Sequence, residues 1–448
     1  MREKNAKLLS WSRWTAPLGA VLLLAACGDG LFDVRNPGRI EDDDLNSALG
    51  VTALVTGMSS DFSSSFDEAA FAGARMSDEM AGSGSYNTTG FLRRGIIFVD
   101  SEFDFLWEGM QRARWVAESG LTRMSNIENF EFASSPLTAR ANLLAGLANR
   151  WMGEMFCYTM FDDPTVEGEE PEDVQGKDAA FLRAIPYLQQ AISVATAAGE
   201  DDMATAAAGA LAQVYMGLGD WAMATTFSTQ VPDDFQWVAI YDANSGREEN
   251  VMWNETHGRQ EMSAFGTLAA SFDPNDPRAP FQDCTVDATG CNNANGADGS
   301  TPHLMQLKYP DVGSDIPLVE GTEMRLIEAE AALQGTPDIT AFAAAINAAR
   351  AEWGLPAIAE ASVTGATGIT GDPASMDAWD ILDRERFLET WLEGRRIWDL
   401  HRWDHPFLEG GTVVYEPDAG ARRASCFPVA DSECQTNDKI RGTAVCAT

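Results

Sequence analysis

Between Asp383 and Trp403 the chain packs arginines, carboxylates and tryptophans into a stretch about six helical turns long. Phe387, Leu388, Trp391, Leu392 and Trp398 recur at helical spacing and give one broad apolar face. The spacing predicts a single helix over residues 377 to 403, with Arg386 near Glu389 and Glu393 near Arg396 as three-apart pairs on its charged side. In a chain so rich in acids, adjacent carboxylates read as ion-pair structure rather than as a catalytic pair.

Helical periodicity extends through most of the remaining sequence. Helices are expected over roughly residues 41 to 58, 102 to 124, 137 to 160, 179 to 198, 202 to 216, 220 to 230, 321 to 334 and 339 to 353. From about 232 to 320 the pattern breaks into Pro, Gly, Asn and Asp with short strand-like pieces such as residues 249 to 253. Two segments resemble tetratricopeptide hairpins. One runs from Ala208 through Leu211, Tyr215 and Gly219-Asp220-Trp221 to Ala224, and the other from Ala329 and Leu333 past Gly335 and Pro337 to Phe342 and Ile346. The fold class expected is therefore mainly α, a tetratricopeptide-like superhelix of helical hairpins with a loop-rich region for ligand.

Residues 1 to 26 carry Arg2, Lys4, Lys7 and Arg13 ahead of an apolar run through Leu18 to Leu24, the layout of an export signal. Leu24-Ala25-Ala26-Cys27 resembles the lipobox of bacterial lipoproteins, which implies lipidation of Cys27, a tether over 27 to 35, and a folded body over 36 to 448. Lipid on Cys27 would hold the protein to a membrane durably once more than one acyl chain is attached.

With 31 Lys and Arg against 68 Asp and Glu, a formal net charge of −37, the chain repels polyanions, which excludes nucleic-acid binding and electrostatic adhesion to anionic lipid. Six cysteines remain beyond Cys27, an even number that suggests disulfides outside the cytoplasm. Cys284 with Cys291 and Cys426 with Cys434 each close a short loop, leaving Cys157 with Cys446 to tie an interior helix to the chain end, although spacing alone does not decide connectivity.

No nucleophile elbow, P-loop or dinucleotide fingerprint occurs, and no cofactor is implied. His401 and His405 stand four apart, but Arg402 occupies the place where a metalloprotease carries its base, so a capped helix end explains them. Asp242 to Glu248 alternates oxygen side chains around Gly246 without the terminal Glu of a calcium loop, and reads as an Asx-type turn. Gly365 to Gly371 lacks the lysine of a phosphate cradle and reads as a flexible loop.

The order Glu385-Arg386, Glu389, Glu393-Gly394-Arg395, Asp399-Leu400 and Arg402-Trp403 resembles the C-terminal signature of SusD/RagB-like proteins, the nutrient-capturing lipoproteins of bacterial outer membranes. Asp33 to Pro37, Ser77-Asp78-Glu79, Ala139 to Phe161 and Phe427-Pro428-Val429 follow in the same order. The resemblance implies a non-enzymatic lid on a SusC-like, TonB-dependent outer-membrane barrel, exposed at the cell surface and binding an oligosaccharide or another oligomeric nutrient. The cysteines and the shorter body depart from the family pattern. A sugar site needs rings to stack on and amides or charges to bond hydroxyls. Tyr86, Asn87, Phe91, Arg93 and Arg94 in the loop after Ser77-Asp78-Glu79, and Trp237, Tyr241 and Trp253 in the irregular region, are the candidates, with core packing as the competing role for each ring. A periplasm-facing helical scaffold lipoprotein without a small ligand is the alternative reading.

Overall fold

The computed structural model describes residues 42 to 84, 86, 92, 95, 97, 99, 103 to 161, 174 to 409 and 422 to 446. The chain divides after Leu45 into two units; of the first, only the start of a 3-10 turn is described, and the second is Asn46–Thr448. The described helices of this second unit are α1 (Val51–Met76), α2 (Asp104–Ser125), α3 (Pro136–Met155), α4 (Lys177–Ala198), α5 (Asp201–Gly217), α6 (Trp221–Ser228), α7 (Val251–Trp253), α8 (Gly321–Leu333), α9 (Ile339–Glu352), α10 (Ala378–Glu389), α11 (Arg396–Arg402) and α12 (Asp431–Thr436). Strands are short and paired two by two, all antiparallel: β1 (Ala81–Gly82) with β5 (Met262–Ser263), β2 (Tyr158–Thr159) with β3 (Gln175–Gly176), β4 (Gln236–Ala239) with β8 (Ile316–Glu320), and β6 (Phe281–Asp283) with β7 (Leu304–Gln306).

From α1 to α6 each helix packs on the next in sequence, α6 leads on to α8, and α8 pairs with α9. This is the stacking of helical hairpins expected for a repeat scaffold. Local chemistry sets the boundaries. Ser135 accepts the N–H of Leu137 with Pro136 in the first turn of α3, and the Asp220 carboxylate accepts the Met223 N–H at the start of α6. Gly199, in the left-handed region, turns α4 into α5 within two residues. Small residues then decide how closely the helices approach. A methyl at Gly153 or Gly217 would stand 2.9 or 2.8 Å from the Phe181 ring, so that ring is gripped between α3 and α5.

Two expectations about helices need correction. The first helix runs to Met76 rather than ending near 58, because its second half buries Phe62, Phe66 and an alanine row. The stretch from 377 to 403 is two helices, not one. Leu392 and Gly394 have positive φ, and a side chain at Gly394 would come within 3.0 Å of Ala70 and Trp151.

That break redirects the charges. Instead of pairing along one helix face, they lie buried and reach far across the chain. Arg396 grips both oxygens of Asp78 at 2.6 and 2.7 Å and also binds Asp383. Arg395 forks onto Glu154 at 2.8 and 2.9 Å and reaches Glu323 at 2.9 Å. Arg386 and Arg402 share Asp399, each at 2.8 Å, and Glu385 sits between Arg278 and Arg350, 2.7 Å from each. The Glu79 carboxylate accepts the Leu392 N–H at 2.7 Å, which fixes the positive-φ turn.

The cysteines pair as Cys157–Cys426, Cys284–Cys291 and Cys434–Cys446. Only the middle pair follows the spacing argument. Phe427 lies in a parallel bridge with Phe156, and this brings Cys426 rather than Cys446 to Cys157.

Candidate functional site

The irregular region contains one rigid outcrop of rings. α7 continues into a π-helical turn over Asn254–Gly258, and this widened helix is fastened on three sides. Asn250 accepts the Trp253 N–H at 3.0 Å and donates to the Ser314 carbonyl at 2.6 Å, while the Val251 N–H donates to Asp67 at 3.0 Å. Trp253 and His257, four residues apart, stack with ring centres 5.7 Å apart and planes within 12°. The Trp253 indole donates to the Pro310 carbonyl at 3.1 Å, and Thr256 lies 3.1 Å from His257 Nδ1. Burial pushes His257 down to about 4, so its ring is neutral near pH 7.

Just beyond, Arg259 binds Glu255 at 3.0 Å and lays its guanidinium 4.8 Å from the centre of the Tyr86 ring. Tyr86 is 47% exposed. Three residues before it, the Ser83 N–H donates to Glu261 O at 2.8 Å, and the Asp298 N–H to Ser83 O at 2.8 Å. Asn292 donates to the His257 and Gly258 carbonyls at 2.9 and 3.1 Å, tying the turn to the segment after the Cys284–Cys291 loop. Residues 253 to 259 therefore hold two ring surfaces, Trp253–His257 and Tyr86–Arg259, with an exposed amide beside them. Beneath, burial raises Glu255 to about 7; Arg75 opposes that rise, while Glu261 and Glu68 add to it.

The candidates drawn from sequence fall into three groups. Tyr86 and Trp253 belong to this face. Tyr241 does not: it is a core residue whose hydroxyl donates to the Ser63 carbonyl at 2.9 Å, because the end of β4 turns it inward. Trp237 is half-buried on β4 and lines a separate cavity of about 320 Å³ with Ser59, Ser63 and Arg140. Asn87, Phe91, Arg93, Arg94 and Cys27 lie outside the described residues. Sequence reasoning missed His257 and Arg259, although the four-residue spacing of Trp253 and His257 was a visible stacking signal.

Other motifs resolve simply. Asp242 accepts the Asn244 N–H in an Asx turn, at 3.0 Å. His405 binds Asp383 and His401 binds Ser425, so the two rings serve different partners. The Gly365 to Gly371 loop is pinned rather than loose, with Thr367 and Thr370 each donating backbone and hydroxyl hydrogens to Asp377 and Asp380. Among the described residues no cluster of three or more His, Cys, Asp or Glu is arranged to hold a metal ion, and no helix is long and apolar enough to cross a membrane.

Residues 314–440 match the family model described as the SusD family. No curated protein matches the sequence. Among solved structures, a SusD/RagB family protein from Bacteroides thetaiotaomicron VPI-5482 is similar with a TM-score of 0.64 at 15% identity, covering 88% of this chain and 95% of that one. A SusD-like carbohydrate-binding protein from Bacteroides vulgatus ATCC 8482 gives 0.61 at 13% identity, covering 88% and 97%. A laminarin-binding SusD-like protein gives 0.55 at 17% identity, covering 86% and 97%. At these identities the structural likeness speaks to the fold.

Proposed function

From a chain that is SusD/RagB-like, by sequence over residues 314–440 and by fold over most of its length, we propose a surface glycan-binding lipoprotein that captures its ligand and passes it to a SusC-like, TonB-dependent barrel. The observation that carries glycan binding is the outcrop of Tyr86–Arg259 and Trp253–His257. Trp253 is held by its stack on His257 and its bond to the Pro310 carbonyl, and Tyr86 stands under the Arg259 guanidinium, which offers ring surface for stacking on a pyranose face. Asn292 and Arg259 stand beside them as hydroxyl partners. The protein acts by binding and not by turnover. Cys27 bears the lipid anchor, in keeping with the lipobox-like sequence ahead of it.

The glycan-binding neighbours motivate the first probe. Soluble protein lacking residues 1 to 27 is screened on a glycan array that includes laminari-oligosaccharides, and hits are incubated for long periods and checked for products. The proposal requires binding that Trp253→Ala and Tyr86→Ala each weaken. An array without hits, or hits indifferent to both substitutions, removes the site, and released products remove the non-enzymatic reading. Location is tested separately by protease shaving of intact cells, by Cys27→Ser, which should release the protein from the envelope, and by copurification with a barrel.

A further inference from the structure

Away from the ring outcrop, the first turn of α4 borders a cavity of about 990 Å³, at the upper end of small-molecule sites. Tyr158, Phe161, Gln175, Leu182 and His401 line it, with the Cys157–Cys426 disulfide. α4 is 22 residues long, and Gly176, at its N-cap position, offers no side-chain cap. The positive end of the helix and its first N–H groups therefore go without the usual acceptor.

Lys177 stands in that same turn and lines the cavity. Its ammonium is shut off from water, lies 4.8 Å from the centre of the Trp398 ring, and has no hydrogen-bond partner. In a protein with more than twice as many acids as bases, a buried ammonium met by a ring face but by no hydrogen-bond acceptor among the described residues is unexpected. The neighbouring charges do not answer it. Glu154 is held by both oxygens on Arg395, Arg183 is held by Glu118 at 2.7 and 2.9 Å, and Asp178 is exposed. Burial pushes the Lys177 amine down to about 7 against the pull of Glu154 and Asp178, and His401 down to about 4.

We infer that this cavity is a second binding site, which takes a carboxylate-bearing saccharide. The carboxylate lies between the Lys177 ammonium and the uncapped first turn of α4, an arrangement that satisfies both at once. Four rotatable bonds let the lysine turn from the Trp398 ring towards the ligand. The Tyr158 ring, 38% exposed, and the Gln175 amide supply a stacking face and a hydroxyl partner, and the volume suits a sugar chain better than a lone anion.

Calorimetric titration of the full chain, purified in detergent, with trigalacturonate, neutral galactotriose and succinate tests this. Trigalacturonate should bind most tightly of the three, and Lys177→Met, which keeps the stem on Trp398, should weaken it by about tenfold or more without changing any galactotriose affinity. Leu182 is 58% exposed on the cavity wall, so Leu182→Glu adds a repelling charge without touching the core and decides the matter if the lysine variant does not fold. No binding of trigalacturonate, equal binding in both variants and the parent, or a loss in Tyr86→Ala instead of Lys177→Met overturns the site. Succinate binding as tightly as trigalacturonate overturns the saccharide assignment.

Discussion

The C-terminal arginine network and the Trp253–His257 outcrop are both dense in ring and charge, yet they are built in opposite ways. In the network Arg395, Arg396, Asp399 and Glu154 are buried and each is ion-paired within the protein, Arg395 to Glu154, Arg396 to Asp78 and Asp399 to Arg386. In the outcrop Tyr86 and Arg259 are exposed, and the hydrogen bonds fix the backbone beneath them. A charged motif that is buried and ion-paired internally holds a fold together; one that is held in place but exposed is available to a ligand.

The sharpest way to break that contrast is to remove one member of the network. Arg396→Met strands Asp78 and Asp383 in the interior, and breaking a buried pair from one side costs about 3–5 kcal/mol. Urea denaturation should show that loss, and a change below about 1 kcal/mol would mean that the buried pairs do not act as structure. Next comes the covalent tie. Cys157→Ser with Cys426→Ser opens a link between residues 269 apart, for which a loss of about 2–5 kcal/mol is expected from the same denaturation curves.

In the outcrop the effects should reverse in kind. Trp253→Ala should lower affinity for the array-identified glycan by about tenfold, roughly 1.4 kcal/mol, while its unfolding midpoint shifts far less than that of Arg396→Met. Equal damage to stability and binding would place Trp253 with the core instead.

The smallest effect is in pH. Burial raises Glu79 to about 8 and Glu255 to about 7; each carboxyl therefore binds its proton more tightly folded than unfolded, and its stabilisation is full at low pH and lost as pH rises through those values. Asp383, Glu385 and Asp399 run the other way. Burial would raise them, but Arg396, Arg278 and Arg386 respectively outweigh it and hold them low, so their contribution is present above the ordinary carboxylate range and lost on acidification. Stability should peak in mildly acidic buffer, and Glu79→Gln should flatten the decline between about pH 5 and 8. An unchanged decline in that variant would assign the slope to other groups.

These differences also mark what the sequence made legible. Helices with plain apolar periodicity, from α2 to α6 and from α8 to α9, are placed by it within a few residues because local spacing and caps such as Ser135 and Asp220 define them. The second half of α1 escapes because it is buried on nearly every side, Asp67 and Arg75 included, and so shows no polar face to give a period. The break at Leu392 is invisible, since leucine in the left-handed region follows from tertiary contacts and only Gly394 hints at it. Of the site, aromatic type singles out Tyr86 and Trp253, but burial separates them from Tyr241, and burial is a property of the assembled chain. Disulfide partners stay undecided for the same reason.

The bond from Arg396 to Asp78 spans 318 residues, and that from Leu392 to Glu79 spans 313. A chain emerging N-terminus first exposes Asp78 and Glu79 long before their partners exist. Helical hairpins can zip up as they appear, but the scaffold they form stays open at its keystone until nearly the last helix arrives. Chains truncated before residue 392 should therefore remain protease-sensitive throughout rather than yield a resistant N-terminal half, because the polypeptide locks only when its tail docks.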